Sequence, residues 1–503
     1  MKYSYRIKDY HIPYTNLYDM LAGTAERYPE KTAVIDDHES LTYAQLASRV
    51  DLMAEMLRST YHMKEGDQAG VLMLNTVNMV AAIYALMKLG CTAVLINTKF
   101  RSFEIQNLLG DMEIRIMLSD ACWSDKVAHY LRQRCIPLLT ETDLLAVHSG
   151  TFVYTKAVPH PDDVAVIMHT SGTTGRPKGV MVTQRNIMEA VYGYAEIQGM
   201  GHEDVAVVST PIFHILALAG ITAYMMFIGA TEVLSDYYNV DVIIDKIRKY
   251  HATHFHSVPT IFQQIVESPR TDKDLSSLKI AVCGGAKVSD DVVEAFCRIA
   301  PNARFTRAYG LTETAGSGAL SWRHKEPLRA VPNAYCTVVD AQHREMKPGE
   351  IGEIVVCGPC VARGRWKAEP LPDECEYTGD IGYMDHDGNI FIIDRLKDLI
   401  NRGGEKIFPM LVEDVILKYP GVKEASVYAV SSREYGEIPY AAIITEEGAA
   451  VDCEQLRQYV RKHVATYETP VHIDIVEDFP RTQNGKVRKI ELRRRAEEKL
   501  RSK

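Results

Sequence analysis

The sequence predicts an α/β protein with a large N-terminal domain of layered βα sheets plus a β-rich subdomain, followed by a small α+β C-terminal domain. Two observations carry this prediction. A chain of 503 residues exceeds what one hydrophobic core normally organises. Apolar runs at Thr92–Ile96, Val164–His169 and Ile280–Gly285 alternate with helical patterns such as YAQLASRVDLMAEMLRS, which is typical of sheets covered by helices.

The pattern changes twice towards the C-terminus. GEIVVCG and GNIFIID are separated by the turn residues DHDG and predict the strands of a β-rich subdomain. After DRLKDLINRGGEK a new alternation of helices and strands begins. MLVEDVILKYPGV and CEQLRQYVRKHV predict helices, and ASVYAV and YAAIIT predict strands. We therefore predict an N-terminal domain over residues 1–395 and a C-terminal domain over residues 396–503.

Composition narrows the class of protein. With 46% hydrophobic and 24% charged residues the chain reads as globular, and a net charge of −9 disfavours wholesale nucleic-acid binding. Ten cysteines without regular spacing suggest reduced thiols in a cytoplasmic protein. The single CxxC, CGPC, lacks the second pair that a zinc site needs, so we assign no metal to it.

Two segments bear on membranes and targeting. The opening MKYSYRIKDYHIPYTN has no apolar core of a secretory signal, so we expect a cytoplasmic protein. Residues Ile215–Ala230 carry no charge, but the run is short and contains glycines and a threonine. It predicts a buried helix with a following turn and no membrane span.

The stretch HTSGTTGRPKGV, from His169 to Val180, predicts a phosphate-binding loop. Glycines let backbone amides converge on an anion, hydroxyl side chains add donors, and Arg176 and Lys178 add positive charge. The preceding run is strand-like and IMEAVYGYAEI is helix-like, so we predict a loop at a strand-to-helix junction.

Other readings of the loop are weaker. A Walker A loop needs Gly-Lys-Ser/Thr, whereas Lys178 is followed by Gly179 and Val180, so a P-loop kinase or GTPase is disfavoured. A surface loop rich in small residues stays open as an alternative from this segment alone.

The segment resembles the signature TSGTTGxPKG of the adenylate-forming superfamily, which includes acyl-CoA and aryl-CoA synthetases, luciferases and peptide-synthetase adenylation domains. The resemblance covers nearly the whole chain. Its further matches are STPIFH from Ser209, CGGAKVS from Cys283, AYGLTET from Ala308, YTGDIGYMDHDGNIFIIDRLKDLI from Tyr377, GGEKIFPMLVED from Gly403 and PRTQNGKVRK from Pro480. The chain departs from the family pattern at His169 and in a shortened region between GPCVARGRW and YTGD.

The resemblance implies an enzyme that uses ATP, Mg²⁺ and CoA, with a mobile C-terminal domain. The residues implied to bind nucleotide form three groups: Thr170, Ser171, Gly172, Thr173, Thr174, Gly175 and Lys178 at the phosphates; Gly284, Gly285, Ala286, Ala308, Tyr309, Gly310, Leu311 and Thr312 at the adenine and neighbouring pocket; Asp380, Ile392 and Arg395 at the ribose side.

The remaining implied roles concern catalysis and motion: Glu313 and Thr174 as Mg²⁺ ligands, Lys486 on the substrate carboxylate and α-phosphate, Lys397 as hinge, Gly403, Gly404 and Glu405 along the pantetheine, and His214 at the mouth of the acid pocket. Taken without the family, each residue has a plainer interpretation. Glu313 fits a surface carboxylate, Asp380 a turn and His214 a core histidine.

The implied reaction is ATP-dependent formation of an acyl-adenylate from a carboxylic acid, then transfer of the acyl group to the thiol of CoA. Peptide-synthetase domains usually place an Asp after Phe in STPIFH, but His214 stands there, so a buried ammonium would lack a partner. We expect a fatty or aryl acid, and a monomer or homodimer. A free-standing enzyme that loads an acyl carrier protein stays open, as does a catalytically silent nucleotide sensor.

Overall fold

The computed structural model describes residues 11–145, 159–170, 178–235, 239–368, 374–481 and 487–501. The chain divides into two compact units, one of residues 1–336 with 356–376 and the other of residues 337–355 with 377–503.

The described helices, in chain order, are α1 Leu17–Arg27, α2 Tyr43–Ser59, α3 Val77–Lys88, α4 Ser102–Asp111, α5 Ala121–Gln133, α6 Glu141–Leu145, α7 Gln184–Gln198, α8 Ile215–Ala217, α9 Tyr224–Ile228, α10 Val240–Lys249, α11 Pro259–Glu267, α12 Asp290–Ile299, α13 Pro409–Ile416, α14 Cys453–Arg461 and α15 Lys489–Arg501. A π-helical stretch, Leu218–Ala223, connects α8 to α9, and short 3₁₀ helices lie at Thr312–Thr314 and Leu396–Asp398.

The described strands are β1 Thr32–Ile35, β2 Ser40–Thr42, β3 Gln68–Leu72, β4 Thr92–Leu95, β5 Ile114–Ser119, β6 Leu138–Thr140, β7 Val164–Thr170, β8 Lys178–Thr183, β9 Val205–Val208, β10 Thr231–Leu234, β11 His254–Ser257, β12 Ile280–Cys283, β13 Arg304–Tyr309, β14 Ala319–Leu320, β15 Arg329–Ala330, β16 Tyr335–Val339, β17 Gly352–Cys357, β18 Gly364–Arg365, β19 Cys375–Met384, β20 Ile390–Arg395, β21 Ile400–Arg402, β22 Glu405–Ile407, β23 Val422–Ser432, β24 Gly436–Thr445 and β25 His472–Ile475.

Two large sheets organise the first unit. One has the order β15-β14-β13-β12-β11-β9-β10-β1-β2, and the other β18-β8-β7-β4-β3-β5-β6. Their central strands are parallel, and antiparallel pairs close the ends at β13–β14, β1–β2 and β7–β8. Parallel strands buried on both faces read as continuous apolar runs, which is how β4, β7 and β12 were predicted.

Helices between the sheets form the main core. All twelve residues of α3 are buried, because this helix is apolar on every side. Helix α2 begins at a reciprocal cap, in which the Thr42 side chain accepts from the Gln45 backbone and the Gln45 side chain accepts from the Thr42 backbone. This cap explains why the helix starts where the sequence pattern placed it.

The second unit is built around a five-stranded sheet in which β22, β21, β24 and β23 follow one another and β25 pairs with β24. Helices α13 and α14 cover one face with Val412, Ile416, Leu456 and Val460, and α15 covers the other with Leu492 and Ala496. A further four-stranded sheet has the order β16-β17-β19-β20. The predicted α/β class, with a large N-terminal part and a smaller C-terminal part, is confirmed.

The charge-free stretch forms the buried helical run α8, the π-helical stretch and α9, which ends at Gly229 with a φ of 75°. This confirms the predicted buried helix and turn. Among the helices that the structure describes, each is too short or too polar to cross a bilayer.

The expectation of reduced thiols is wrong for one pair of cysteines. Cys357 and Cys375 form a disulfide between β17 and β19, and both are buried. Their separation of 18 residues hides the pairing, which arises because the two strands are neighbours in the sheet. Cys360, the second cysteine of CGPC, is buried and is not bonded to Cys357.

Candidate active site

In sequence, the predicted phosphate loop is flanked by two strands, β7 and β8, that pair with each other. Thr170, the last residue of β7, lies opposite Lys178, the first residue of β8, in an antiparallel ladder. The predicted strand-to-helix junction is therefore wrong, because GVMVT extends as strand and α7 begins only at Gln184. The strand β8 therefore separates the loop from the N-terminus of α7 in sequence.

Several predicted loop residues lie outside the described part of the chain: Ser171, Gly172, Thr173, Thr174, Gly175 and Arg176. Lys486, the predicted adenylation lysine, also lies outside it. The described rim of the loop is thus formed by Thr170, half-buried, and Lys178, exposed.

Glu313 stands in the 3₁₀ turn Thr312–Thr314, next to the downstream edge of the loop. Its carbonyl accepts a hydrogen bond from the Ala362 amide at 2.8 Å, which ties the turn to the segment before β18. Strand β18 pairs with β8 so that Arg365 lies opposite Val180. The structure therefore brings Glu313 and the start of β8 together through a short strand.

Arg365 links two carboxylates at this point. Its Nη2 lies 3.0 Å from Oε1 of Glu313 and 2.7 Å from Oε1 of Glu376. Burial opposes the charge on Arg365, but the carboxylates of Glu376 and Glu313 outweigh this and raise its pKa. We call Glu313, Arg365 and Glu376 the carboxylate cluster.

Sequence reasoning missed Arg365 and Glu376. Arg365 lies at the end of GPCVARGRW and Glu376 lies in the shortened region before YTGD, and nothing in the local pattern shows that a guanidinium bridges positions 313 and 376. The signal that could have found them is a pair of opposite charges at the two ends of that region in sequence.

The carboxylate cluster fits a divalent cation that is already bound to phosphate oxygens and water. Two carboxylates and one guanidinium leave a formal charge of −1, and Glu313 supplies the hard oxygen that Mg²⁺ prefers. Among the described residues no three His, Cys, Asp or Glu side chains form a complete metal site. Mg²⁺ at Glu313 would therefore take most of its ligands from phosphate and water.

The predicted adenine segments follow two adjacent parallel strands. Gly284, Gly285 and Ala286 come after β12, and Ala308 and Tyr309 end β13. Gly310, Leu311 and Thr312 continue from β13 into the turn that carries Glu313. Because parallel strands end at one edge of a sheet, these segments converge there, as ligand-binding residues of α/β sheets commonly do.

Two of these glycines have a physical requirement. Gly285 has a φ of 82°, which side-chain-bearing residues rarely adopt. A Cβ on Gly310 would lie 2.4 Å from the carbonyl oxygen of Gly316, so the turn can close only over a glycine.

His214 lies at the same edge, in the segment after β9. It is the N-cap of α8, its ring is half-buried, and its centroid lies 4.7 Å from that of Phe213. This position at the start of the buried helical run agrees with a side chain at the margin of a pocket.

Asp380 and Arg395 face each other in the second unit. They are opposite one another on β19 and β20, and Nε of Arg395 lies 2.6 Å from Oδ1 of Asp380. The Thr378 hydroxyl accepts a hydrogen bond from the Asp380 amide at 3.1 Å and donates one to the Ile354 carbonyl at 2.7 Å. The aspartate is thus fixed in place by its backbone and by its ion pair. Ile392, on β20, lies opposite Gly382.

The segment predicted to contact pantetheine is a hairpin. Gly403 and Gly404 form its two-residue turn between β21 and β22, with φ values of 60° and 100°. Such a turn requires positive φ at both positions and explains the glycines without a ligand. Glu405 follows in β22, and Lys397 is exposed in the 3₁₀ helix Leu396–Asp398.

Comparison with known proteins identifies similar chains. Residues 21–366 match the family described as AMP-binding enzyme, and residues 411–486 match the AMP-binding enzyme C-terminal domain. The chain is 31% identical over 488 residues to a feruloyl-CoA synthase of an Amycolatopsis species, covering 94% of this chain and 97% of that protein. It is 31% identical over 482 residues to the 2-succinylbenzoate–CoA ligase of Bacillus licheniformis, covering 94% and 98%.

Solved structures show the same likeness. The ATP-bound structure of MatB from Rhodopseudomonas palustris has a TM-score of 0.88 at 26% identity, covering 96% of this chain and 99% of that one. The o-succinylbenzoate CoA synthetase of Bacillus subtilis, in complex with its acyl-adenylate intermediate, has a TM-score of 0.82 at 27% identity, covering 94% and 97%.

Proposed function

The chain belongs to the family of AMP-binding enzymes, and we propose from this premise that the site converts a fatty or aryl carboxylic acid to its CoA thioester. The reaction is that of an ATP-dependent, AMP-forming acid:CoA ligase, with ATP, Mg²⁺ and CoA as its small-molecule requirements. The observation that supports this most is the convergence of Glu313, Gly284–Ala286 and His214 at one edge of the large sheet.

The first step brings two anions together. The carboxylate of the acid attacks the α-phosphorus of ATP and displaces pyrophosphate, leaving an acyl-adenylate. Lys178 would neutralise phosphate charge at the loop rim, and the Thr170 hydroxyl would donate to a phosphate oxygen. Mg²⁺ at Glu313 would neutralise further phosphate charge as a Lewis acid. No side-chain nucleophile is required, since the acid itself attacks.

We assign the remaining nucleotide contacts from the family motifs. Small residues at Gly284–Ala286 would admit the adenine edge-on, with Tyr309 stacking on it. Asp380 would accept hydrogen bonds from the ribose hydroxyls, and Arg395 would support it. Lys486 would contact both the substrate carboxylate and the α-phosphate during adenylation.

The second step needs access for a thiol to the acyl carbonyl. We propose that residues 396–503 act as a mobile domain, that Lys397 is its hinge, and that the Gly403–Gly404 turn borders the pantetheine in the thioester-forming state. Lys486→Ala should abolish adenylation while presynthesised acyl-adenylate is still converted to thioester. Equal loss of both half-reactions, measured separately as pyrophosphate release and thioester formation, would contradict the hinge.

The acid is proposed to lack an amino group. His214 and the apolar residues of α8 offer no carboxylate to a buried ammonium, which would cost free energy on binding. The feruloyl-CoA synthase among the relatives makes an aryl acid a natural first choice. We place the enzyme in the cytoplasm as a monomer or homodimer.

The deciding experiment is a panel of fatty, aryl and amino acids with ATP and CoA, in which AMP, pyrophosphate and thioester are measured. We expect acid-dependent AMP, pyrophosphate and CoA thioester in equal amounts. Pyrophosphate without CoA thioester would favour a carrier-protein acceptor, and formation of ADP would overturn the mechanism.

A further inference from the structure

The strand β11, of sequence HFHS, has two buried histidines on one face. Phe255 packs on the opposite face, where its ring centroid lies 5.4 Å from that of Phe262 in α11. His256 faces α7 and the π-helical stretch, with its ring centroid 6.1 Å from that of Tyr194. Both His254 and His256 are fully buried, which is unusual for side chains with two polar nitrogens.

The two ring nitrogens of His256 have different surroundings. Nδ1 lies 3.5 Å from the carbonyl oxygen of Gly220 in the π-helical stretch. Nε2 has no hydrogen-bond partner among the described residues. The neighbouring Tyr194 hydroxyl is already committed, since it donates to the carbonyl of Gly316 at 2.7 Å.

Two glycines shape the space around this imidazole. A Cβ on Gly220 would lie 3.0 Å from Cε1 of His256, so the ring fits because Gly220 has no side chain. A Cβ on Gly284 would lie 3.4 Å from Nε2, 3.2 Å from Cδ1 of Leu216 and 3.5 Å from Cβ of Ala308. The space beside Nε2 therefore holds at most a methyl-sized group, and it exists only because Gly284 has no side chain.

This space lies between the helix start next to His214, on the proposed acid side, and the strand ends predicted to border the adenine. Leu216 follows His214 in α8, Gly284 begins the segment after β12, and Ala308 lies at the end of β13. Leu216 is half-buried and borders the space, so a ligand atom could reach Nε2 only if Leu216 changed its rotamer.

The imidazole is an acceptor at Nε2. Burial lowers the pKa of His256 to about 4, so the ring is neutral at physiological pH. A carbonyl oxygen only accepts, so the 3.5 Å contact with Gly220 favours the tautomer that carries its proton on Nδ1 and has a lone pair at Nε2. An acceptor with no donor nearby is costly to bury, and a ligand that donates a hydrogen bond would remove that cost.

We propose that His256 sets the substrate class by accepting a hydrogen bond from a hydroxyl group at the end of the acid remote from the reacting carboxyl. This inference rests on the proposed acid:CoA ligase function and narrows it to hydroxylated acids. An acid that ends in a second carboxylate would be disfavoured, because an anion would face the Nε2 lone pair.

The test uses pairs of acids that differ by one hydroxyl: 3- and 4-hydroxyphenylpropenoate with phenylpropenoate, and ω-hydroxy fatty acids with their parents. Acid-dependent pyrophosphate release gives kcat/KM, and calorimetry gives Kd for each acid. For the hydroxylated member of at least one pair we expect a preference of about tenfold or more.

Variants then assign the preference to one residue. His256→Leu should reduce it to near unity, and His256→Gln, whose amide oxygen can accept near the Nε2 position, should restore part of it. His254→Leu is the matched control, because His254 is equally buried on the same strand, and it should retain the preference. An unchanged KM for ATP would show that each variant keeps a folded nucleotide site.

The outcomes separate this inference from the proposed function. Turnover without any hydroxyl preference, or a preference that survives in a folded His256→Leu variant, would overturn the role of His256. Hydroxyl-selective binding without acid-dependent pyrophosphate would support His256 and overturn the ligase reaction. Absence of binding by every hydroxylated acid would overturn the role of His256 as well.

Discussion

Glu313, predicted to bind Mg²⁺, and Asp380, predicted to bind the ribose, are each paired with an arginine, but the pairs are built differently. Arg365 is shared between Glu313 and Glu376, so its charge is already matched by a second carboxylate. Arg395 forms an ion pair with Asp380. The first arrangement keeps a formal charge of −1, and the second is neutral.

The difference suits the two ligands that we propose for these residues. A divalent cation needs residual negative charge, which Glu376 preserves at the carboxylate cluster by holding Arg365. Ribose hydroxyls are neutral donors and need only a fixed acceptor, which a buried aspartate in an ion pair provides. A carboxylate that is paired with an arginine can therefore keep its negative charge uncompensated. This happens when the arginine is also paired with a second carboxylate, as Arg365 is with Glu376.

The largest effect is expected from Glu313→Gln. Removing the charge at the proposed Mg²⁺ ligand should lower kcat/KM for acid-dependent pyrophosphate release by roughly 100-fold or more. Glu374→Gln, at an exposed carboxylate in the same part of the chain as Glu376, is the matched control and should leave the rate within about twofold. A Glu313→Gln enzyme with normal rates would remove this residue from the mechanism.

Asp380→Asn should have the next largest effect. Loss of a charged acceptor for the ribose should raise the KM for ATP about tenfold. Wild-type enzyme should discriminate against 2′-deoxy-ATP and 3′-deoxy-ATP, and the variant should discriminate less. If the variant weakened ATP and both deoxy analogues by the same factor, Asp380 would act on structure and not on the ribose.

The carboxylate cluster can be perturbed in both directions. Glu376→Gln brings its formal charge to 0 and should raise the Mg²⁺ concentration for half-maximal rate by about threefold or more. Arg365→Met brings the charge to −2 and should lower that concentration. Both are measured by Mg²⁺ titration at fixed ATP. Shifts in the same direction would show that charge at the cluster does not control cation binding.

The smallest effect concerns Asp394, the residue before Arg395. Its carboxylate accepts from the Met410 amide at 2.7 Å and from the Arg395 amide at 2.7 Å, yet burial raises its pKa to about 6. A raised pKa means that the folded state keeps a proton that the unfolded state loses. The stability contribution is therefore full below about pH 4 and is lost as the pH rises to about 6.

The test compares wild type with Asp394→Asn. The substitution itself changes the melting temperature by an amount that does not depend on pH. Between pH 4 and about 6, the melting temperature of wild type should in addition fall relative to that of the variant. This fall corresponds to a loss of at most about 3 kcal/mol in the free energy of unfolding. Above that range the difference should be constant. A difference that does not change with pH would mean that Asp394 titrates normally.

The sequence by itself determined the layered α/β fold and the family. Apolar runs such as Val164–His169 and the helix pattern at Tyr43–Ser59 encode local geometry, which repeats along neighbouring residues and so can be read without a fold. The motifs around Glu313 and Asp380 were recognisable for the same reason, because each is a short continuous string. Their individual roles stay predictions.

The tertiary structure alone decided which distant residues share a surface. Arg365 bridges positions 313 and 376, Cys357 pairs with Cys375, and His256 fits between Gly220 and Gly284 only once β11, β12 and the π-helical stretch are packed together. Strand pairing and helix packing set these neighbours through contacts remote in sequence. No local periodicity carries that information, so these features could not be predicted from the chain alone.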